Sequence, residues 1–243
     1  MEGMGPARQI GLTKASECAF CKGQLSMNKL IPISLLAAVS LLFQACSTTG
    51  PTTAYNPKAF KPHNPNNVRV KVSLSKQIVY VKEGDRVLMA AACCVGIPSK
   101  PTPRGNFTIN SKQPTKRSGS YGFAVNGNNI VSCEAGKATG HYVGYPMPFW
   151  CEFAPAYGFH QGYVWPVPRT HGCIRLHKNV APKFFELVHN GTPVNIADCQ
   201  PEDGQVGHYV PRPQDFRDDD PPASLMISSA AFAKPAGPLL IEE

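Results

Sequence analysis

From Val68 the chain alternates apolar and polar residues, Val68-Arg-Val-Lys-Val-Ser-Leu-Ser. This is the period-two pattern of a strand with one buried face, and it excludes an amphipathic helix over the same stretch. Gln77-Ile-Val-Tyr-Val-Lys repeats the alternation, and Glu83-Gly-Asp turns the chain into a third strand, Arg86-Val-Leu-Met-Ala. With 24 prolines and 21 glycines, the rest favours short strands and turns over long helices. Only Asn179 to Asn190 has helical spacing, with Val180, Phe184, Leu187 and Val188 on one face and Gly191 placed as a C-cap. The expectation is a mainly β, largely antiparallel domain over residues 68–197 with one clear helix. From Asn126 to Phe159 the glycines, prolines and aromatics suggest loops and short strands.

Charge is unevenly distributed. The formal net charge is +8, yet residues 200–243 hold 8 of the 16 acidic residues and only 3 of the 24 Lys and Arg. A basic body suits an anionic polymer such as a cell wall, an anionic lipid or a nucleic acid. No aromatic-basic nucleic-acid module or Lys/Arg run is visible, so no nucleic-acid partner is expected. The acidic, proline-rich segment 198–243, with Asp218-Asp-Asp-Pro-Pro at its centre, reads as a disordered tail.

At the front, Asn28-Lys29 precedes an apolar run from Leu30 to Ala45, short for a membrane span and typical of a secretory signal. The run ends Leu42-Phe-Gln-Ala-Cys46-Ser47, which resembles a bacterial lipobox with Cys46 as the lipidated residue. The alternative is an ordinary cleaved signal. Residues 27–46 are therefore read as a signal peptide, with Met27 as initiator. Residues 1–26, with their lone Cys18-x-x-Cys21, are read as a non-native or mis-assigned extension. Residues 47–67, rich in Pro, Asn and Thr, are read as a flexible tether. The expected location is the cell envelope, on the periplasmic side, held to a membrane by a lipid at Cys46.

The chemistry is concentrated in Thr170-His171-Gly172-Cys173-Ile174-Arg175, with His160 a short aromatic loop upstream. A thiol attacks acyl carbons as thiolate and needs a base or a positive potential nearby. His160 is the candidate base. Backbone amides around His171 and Gly172 are candidate oxyanion donors, each typically worth about 3–4 kcal/mol in the transition state. Arg175 is suited to bidentate binding of a carboxylate. Together these residues point to acyl transfer from a carboxylate-bearing substrate.

Gly158-Phe-His160 and Thr170-His-Gly-Cys-Ile-Arg-Leu176 resemble the signature of the L,D-transpeptidase (YkuD) family. Three further stretches agree: Leu74-Ser-Lys-Gln-Ile-Val-Tyr-Val81 with its opening strand pair, Thr102-Pro-Arg-Gly-Asn-Phe107 with its TPxGxF turn, and Asn190-Gly-Thr-Pro-Val194 with its last strand. The resemblance implies a β-sandwich-like catalytic domain that needs no cofactor. Cys173 would be the nucleophile and His160 the proton carrier, with His171 and Gly172 shaping the pocket and oxyanion site and Arg175 contacting the stem. The implied reaction forms a thioester with a peptidoglycan tetrapeptide stem, releases D-alanine and passes the acyl group to a second stem as a 3→3 cross-link. Alternatives within the class are hydrolysis of the stem or attachment of an envelope protein to it. Outside the class stands a non-catalytic wall-binding lipoprotein. Thr170 departs from the usual serine, and Tyr163 and Trp165 make the interval after His160 bulky.

Among the nine cysteines, Cys93 and Cys94 are expected in a core strand, too constrained to bond one another. One bridge among Cys133, Cys151 and Cys199 is allowed by an oxidising compartment. A zinc site from His160, His171, Cys173 and His177 is the weaker reading of the same residues. His141 is read as a loop histidine, and Tyr142, Tyr145, Phe149 and Trp150 as core or cleft wall.

Overall fold

The computed structural model describes residues 54–242. The readings of residues 1–26, of the signal segment and of Cys46 lie outside the described residues. Ten strands hydrogen-bond in one continuous order, β4-β10-β1-β2-β3-β9-β8-β7-β5-β6. They run β1 Val68–Ser73, β2 Ile78–Glu83, β3 Arg86–Cys94, β4 Gly105–Thr108, β5 Ser111–Asn126, β6 Asn129–Glu134, β7 His141–Ala154, β8 Tyr157–Gln161, β9 Ile174–Leu176 and β10 Pro193–Ala197. Neighbours pair antiparallel except β1 with β10 and β8 with β9, which are parallel. The opening meander is as the alternation predicted.

The two halves of the sheet share one main apolar core, with a second, smaller cluster on the opposite face of β3. Val70, Val72, Val79 and Val81 from one half share that core with Cys151, Phe153, Phe159, Ile174 and Leu176 from the other. Phe107 on β4 and Phe153 on β7 meet across it, ring centroids 5.4 Å apart. Helix α1, Ala181–Leu187, plugs the core with Phe184, whose ring lies 4.5 Å from that of Phe159. The helix is shorter than its apolar spacing predicted. Val188 ends it, and Gly191, at φ +92°, serves the turn into β10 instead.

Cys93 and Cys94 show the period-two rule directly: adjacent on β3, they enter different apolar clusters on opposite faces. All six described cysteines are free, so no bridge joins Cys133, Cys151 or Cys199. Fourteen-residue β7 replaces part of the loops and short strands expected between Asn126 and Phe159, and pairs along sixteen-residue β5.

Residues 54–67 and 198–242 are ordered where the sequence suggested otherwise. In the stretch read as tether, Ala59 is buried, and the Tyr55 hydroxyl accepts the Ala92 amide at 3.0 Å. The acidic tail is not disordered. Glu202 is buried against Lys71 at 2.9 Å and Lys82 at 2.8 Å, while Asp203 accepts hydrogen bonds from Ser73 and Tyr80 at 2.8 Å each. These partners are the polar positions of β1 and β2, so the tail covers the face that the alternation left open. The chain then crosses the body, forms the short helix α2, Ala223–Ile227, and bridges Ile241 to Phe60. Charge complementarity between acidic tail and basic strands supplies what composition alone could not show. Among the described residues, no helix is long and apolar enough to cross a membrane.

Candidate active site

The parallel pair β8–β9 sets the site. Phe159 lies opposite Ile174, and His160 opposite Arg175. Because side chains alternate along a strand, Phe159, Ile174 and Leu176 turn into the core, all 1% exposed or less, and His160 and Arg175 share the other face. Cys173, two residues before Arg175, falls on that same face. His160, His171, Cys173 and Arg175 all line one cleft of about 690 Å³. The sequence-predicted residues are thus brought together, and Cys46 alone lies outside the described residues.

The loop that carries Cys173 is braced from below. Thr170, buried, donates its hydroxyl to the Cys173 carbonyl at 2.6 Å and accepts the Gly172 amide at 3.1 Å. The Thr170 amide donates to Val95 O and its carbonyl accepts from Ile97, both at 3.0 Å. The segment that follows β3 is itself held by the TPxGxF turn, where Thr102 Oγ1 accepts the Gly96 amide at 2.9 Å. Gly172 adopts φ +110°, and a Cβ there would sit 2.4 Å from Tyr157 Cε1, so only glycine fits. This corrects one expectation: the Gly172 N–H is engaged by Thr170, so the candidate oxyanion donors are the amides of His171 and Cys173.

His160 is 5% exposed, with Nδ1 2.8 Å from the Gln161 carbonyl. A carbonyl only accepts, so Nδ1 carries the proton and Nε2 keeps its lone pair. Burial first, then the Arg175 charge, lowers the imidazole pKa to about 4. Burial raises the Cys173 thiol, with a backbone hydrogen bond from Gly158 and the Arg175 charge opposing. At neutral pH the pair therefore rests as thiol and neutral imidazole. Trp150 stacks beside His160, centroids 6.1 Å apart, and leans over Gly158, where a Cβ would lie 2.8 Å from the indole.

Several cleft residues were not read from the sequence. Tyr121 reaches from β5 to His171, rings 4.9 Å apart, and its hydroxyl accepts from Lys100 Nζ at 3.2 Å. Burial, then Lys100 and Arg175, lowers the His171 pKa. Tyr157 and Lys116 also line the cleft, as do Tyr145 and Trp150, two of the aromatics read as core or cleft wall. Such residues come from polar strands whose side chains meet the site only through sheet pairing. His141 begins β7 and lies outside the cleft wall. Among the described residues no cluster of three or more His, Cys, Asp or Glu is arranged to hold a metal.

A family model described as the L,D-transpeptidase catalytic domain, YkuD, matches residues 67–196. Solved structures similar to the chain include an L,D-transpeptidase from Stackebrandtia nassauensis, 21% identical, covering 59% of this chain and 60% of that one, TM-score 0.41. Another is an L,D-transpeptidase from Mycobacterium smegmatis, 18% identical, covering 54% and 58%, TM-score 0.42. A third is a mutant L,D-transpeptidase from Enterococcus faecium, 22% identical, covering 54% and 50%, TM-score 0.40. The chain therefore spans about 60% or less of the length of each. No curated protein matches it. The matched residues, more than half of the chain, contain both β8 and β9 and the whole loop that carries Cys173, and the chain belongs to the L,D-transpeptidase (YkuD) catalytic-domain family.

Proposed function

We propose that this chain is a cysteine-dependent L,D-transpeptidase of the cell envelope, making 3→3 cross-links between peptidoglycan stems. The observation that carries the reading is the shared cleft of Cys173, His160 and Arg175, with an unprotonated His160 Nε2. Arg175 takes a carboxylate of the donor stem and places its terminal D-alanyl bond beside the thiol. As Cys173 Sγ attacks the carbonyl carbon, its proton passes to His160 Nε2, and the oxyanion is met by the His171 and Cys173 amides. Collapse breaks the C–N bond, and the imidazolium returns the proton to the departing D-alanine amine. The thioester is then attacked by an amine of a second stem. The new C–N bond forms, the C–S bond breaks, and the amine's proton returns to sulfur through His160.

Incubation of the protein with disaccharide-tetrapeptide, followed by mass spectrometry, tests this. The expected product is a dimer lacking one D-alanine, abolished by Cys173→Ala. Tripeptide alone would make the protein a hydrolase, and identical products from wild type and Cys173→Ala would overturn the reading. Lipid attachment at Cys46 and a periplasmic location complete the proposal. Labelling by a palmitate analogue that survives Cys46→Ala would overturn the attachment.

A further inference from the structure

A second cavity, of about 310 Å³, adjoins the nucleophile cleft at Tyr145, which lines both. Gln161 and Gly162, directly after His160, form part of its inner wall. Gly162 lies against the Arg175 stem, where an added Cβ would be 3.0 Å from Cδ. The two cavities thus flank a single arginine. The outer wall is the C-terminal tail, through Asp215, Asp218 and Met226. Those residues lie beyond the segment 67–196 that matches the family.

This wall is held firmly. The Arg117 guanidinium donates to Met226 O at 2.9 Å, Ile227 O at 3.1 Å and Ser228 O at 2.8 Å, and also to Gly144 O at 2.9 Å on β7. Tyr163 donates its hydroxyl to Asp219 O at 2.7 Å, and the Val164 amide donates to the Asp215 carboxylate at 3.2 Å. Asp218, Asp219 and Asp220 remain exposed beside it.

Charge differs between the cavities. The nucleophile cleft carries Lys116 and Arg175 against Glu152, whose carboxylate accepts from Trp150. The tail-walled cavity carries Asp215 and Asp218 against Lys178, with Asp220 close enough to act on both Tyr145 and Tyr163. The first suits a carboxylate and the second an ammonium.

We propose that the C-terminal tail builds the subsite for the attacking stem. Its ammonium-bearing side chain enters between Asp218 and Tyr145, and its aliphatic part rests on Met226 and Pro146. This rests on the transpeptidase reading and assigns the acceptor side of the same site to the tail. The bound ammonium releases one proton to solvent. The resulting amine then forms the C–N bond as the thioester C–S bond breaks, its second proton passing to His160.

The test uses the full chain carrying Cys173→Ala, titrated calorimetrically with a tripeptide stem that bears a free side-chain amine. Adding Asp218→Asn with Asp220→Asn is expected to weaken binding about tenfold, and adding Lys178→Gln to tighten it; a tenfold change is 1.4 kcal/mol. These side chains are exposed, so the fold is undisturbed. Equal affinity across the three proteins overturns the subsite. Acyl-enzyme formation by the Cys173-intact protein, from a tetrapeptide with its side-chain amine acetylated, is measured separately. Its absence would sink the transpeptidase reading without altering the binding result.

Discussion

The Thr170 hydroxyl stands 2.6 Å from the Cys173 carbonyl oxygen and accepts the amide of the intervening Gly172, so one buried side chain holds the Gly172–Cys173 backbone at two points. Thr170→Val keeps the shape and leaves both polar groups unpaired, at a cost of about 1–3 kcal/mol. Cys173 acylation is expected to slow roughly 10–100-fold, with the fold retained. Thr170→Ser restores the hydroxyl and should react near the wild-type rate. Equal rates for valine and serine variants would refute the bracing role.

The raised thiol and lowered imidazole predict slow alkylation of the resting enzyme at neutral pH. The rate of iodoacetamide labelling at Cys173 should climb with pH to beyond 9, the thiol's ordinary value. A preformed thiolate–imidazolium pair would instead label rapidly at mildly acidic pH, and that profile would contradict the neutral-pair assignment.

Acid should destabilise the protein in two stages. His160 and His177 are both lowered from 6.5 to about 4, chiefly by burial. Between those values the unfolded chain binds protons that the folded histidines refuse, so their stability is complete above pH 6.5 and falls towards 4. Asp215, raised by burial to about 6, binds a proton when folded and offsets part of that loss. For Glu202, burial pushes upward, but hydrogen bonds from Lys82 and Lys71 prevail and set it at about 2. Its contribution is therefore lost only below its ordinary value of 4.5. Thermal unfolding followed against pH should show a decline beginning near 6.5 and a second one below 4.5; a flat profile down to pH 4 would contradict the histidine burial.

Removing the Glu202 charge should release the tail. Glu202→Gln leaves Lys71 and Lys82 facing an uncharged, buried partner, which costs about 3 kcal/mol. Limited proteolysis should then cut after about residue 200 while the core strands persist. Unchanged protease resistance would show that the tail is held by its other contacts.

Much of the candidate site's layout could be read in advance, because Gly158–His160 and Thr170–Leu176 are short and contiguous, and parallel pairing needs only to set them side by side. The meander from Val68 was legible for a similar reason: its period is local. The tail was not. Asp203 and Tyr80 are 123 residues apart in sequence, and nothing near either one signals the other. Nor did the polar, serine-rich stretch of β5 look like a strand. Arg117 pairs with Pro146, and its guanidinium holds α2, so its place depends on sheet and tail at once. The full burial of Tyr80 likewise follows from the tail above it rather than from β2 itself.

The register of His160 against Arg175 bears on exchange of the crossover between them. Main-chain pairing between β8 and β9 fixes His160 and Arg175 relative to each other without help from the aromatic residues Tyr163 and Trp165 in the crossover. Exchange of exposed crossover residues is therefore expected to leave His160 and Arg175 in register. On the proposed acceptor role of the tail, a chimera that exchanges both the crossover and the tail it touches is expected to show a new acceptor preference with acylation of Cys173 intact.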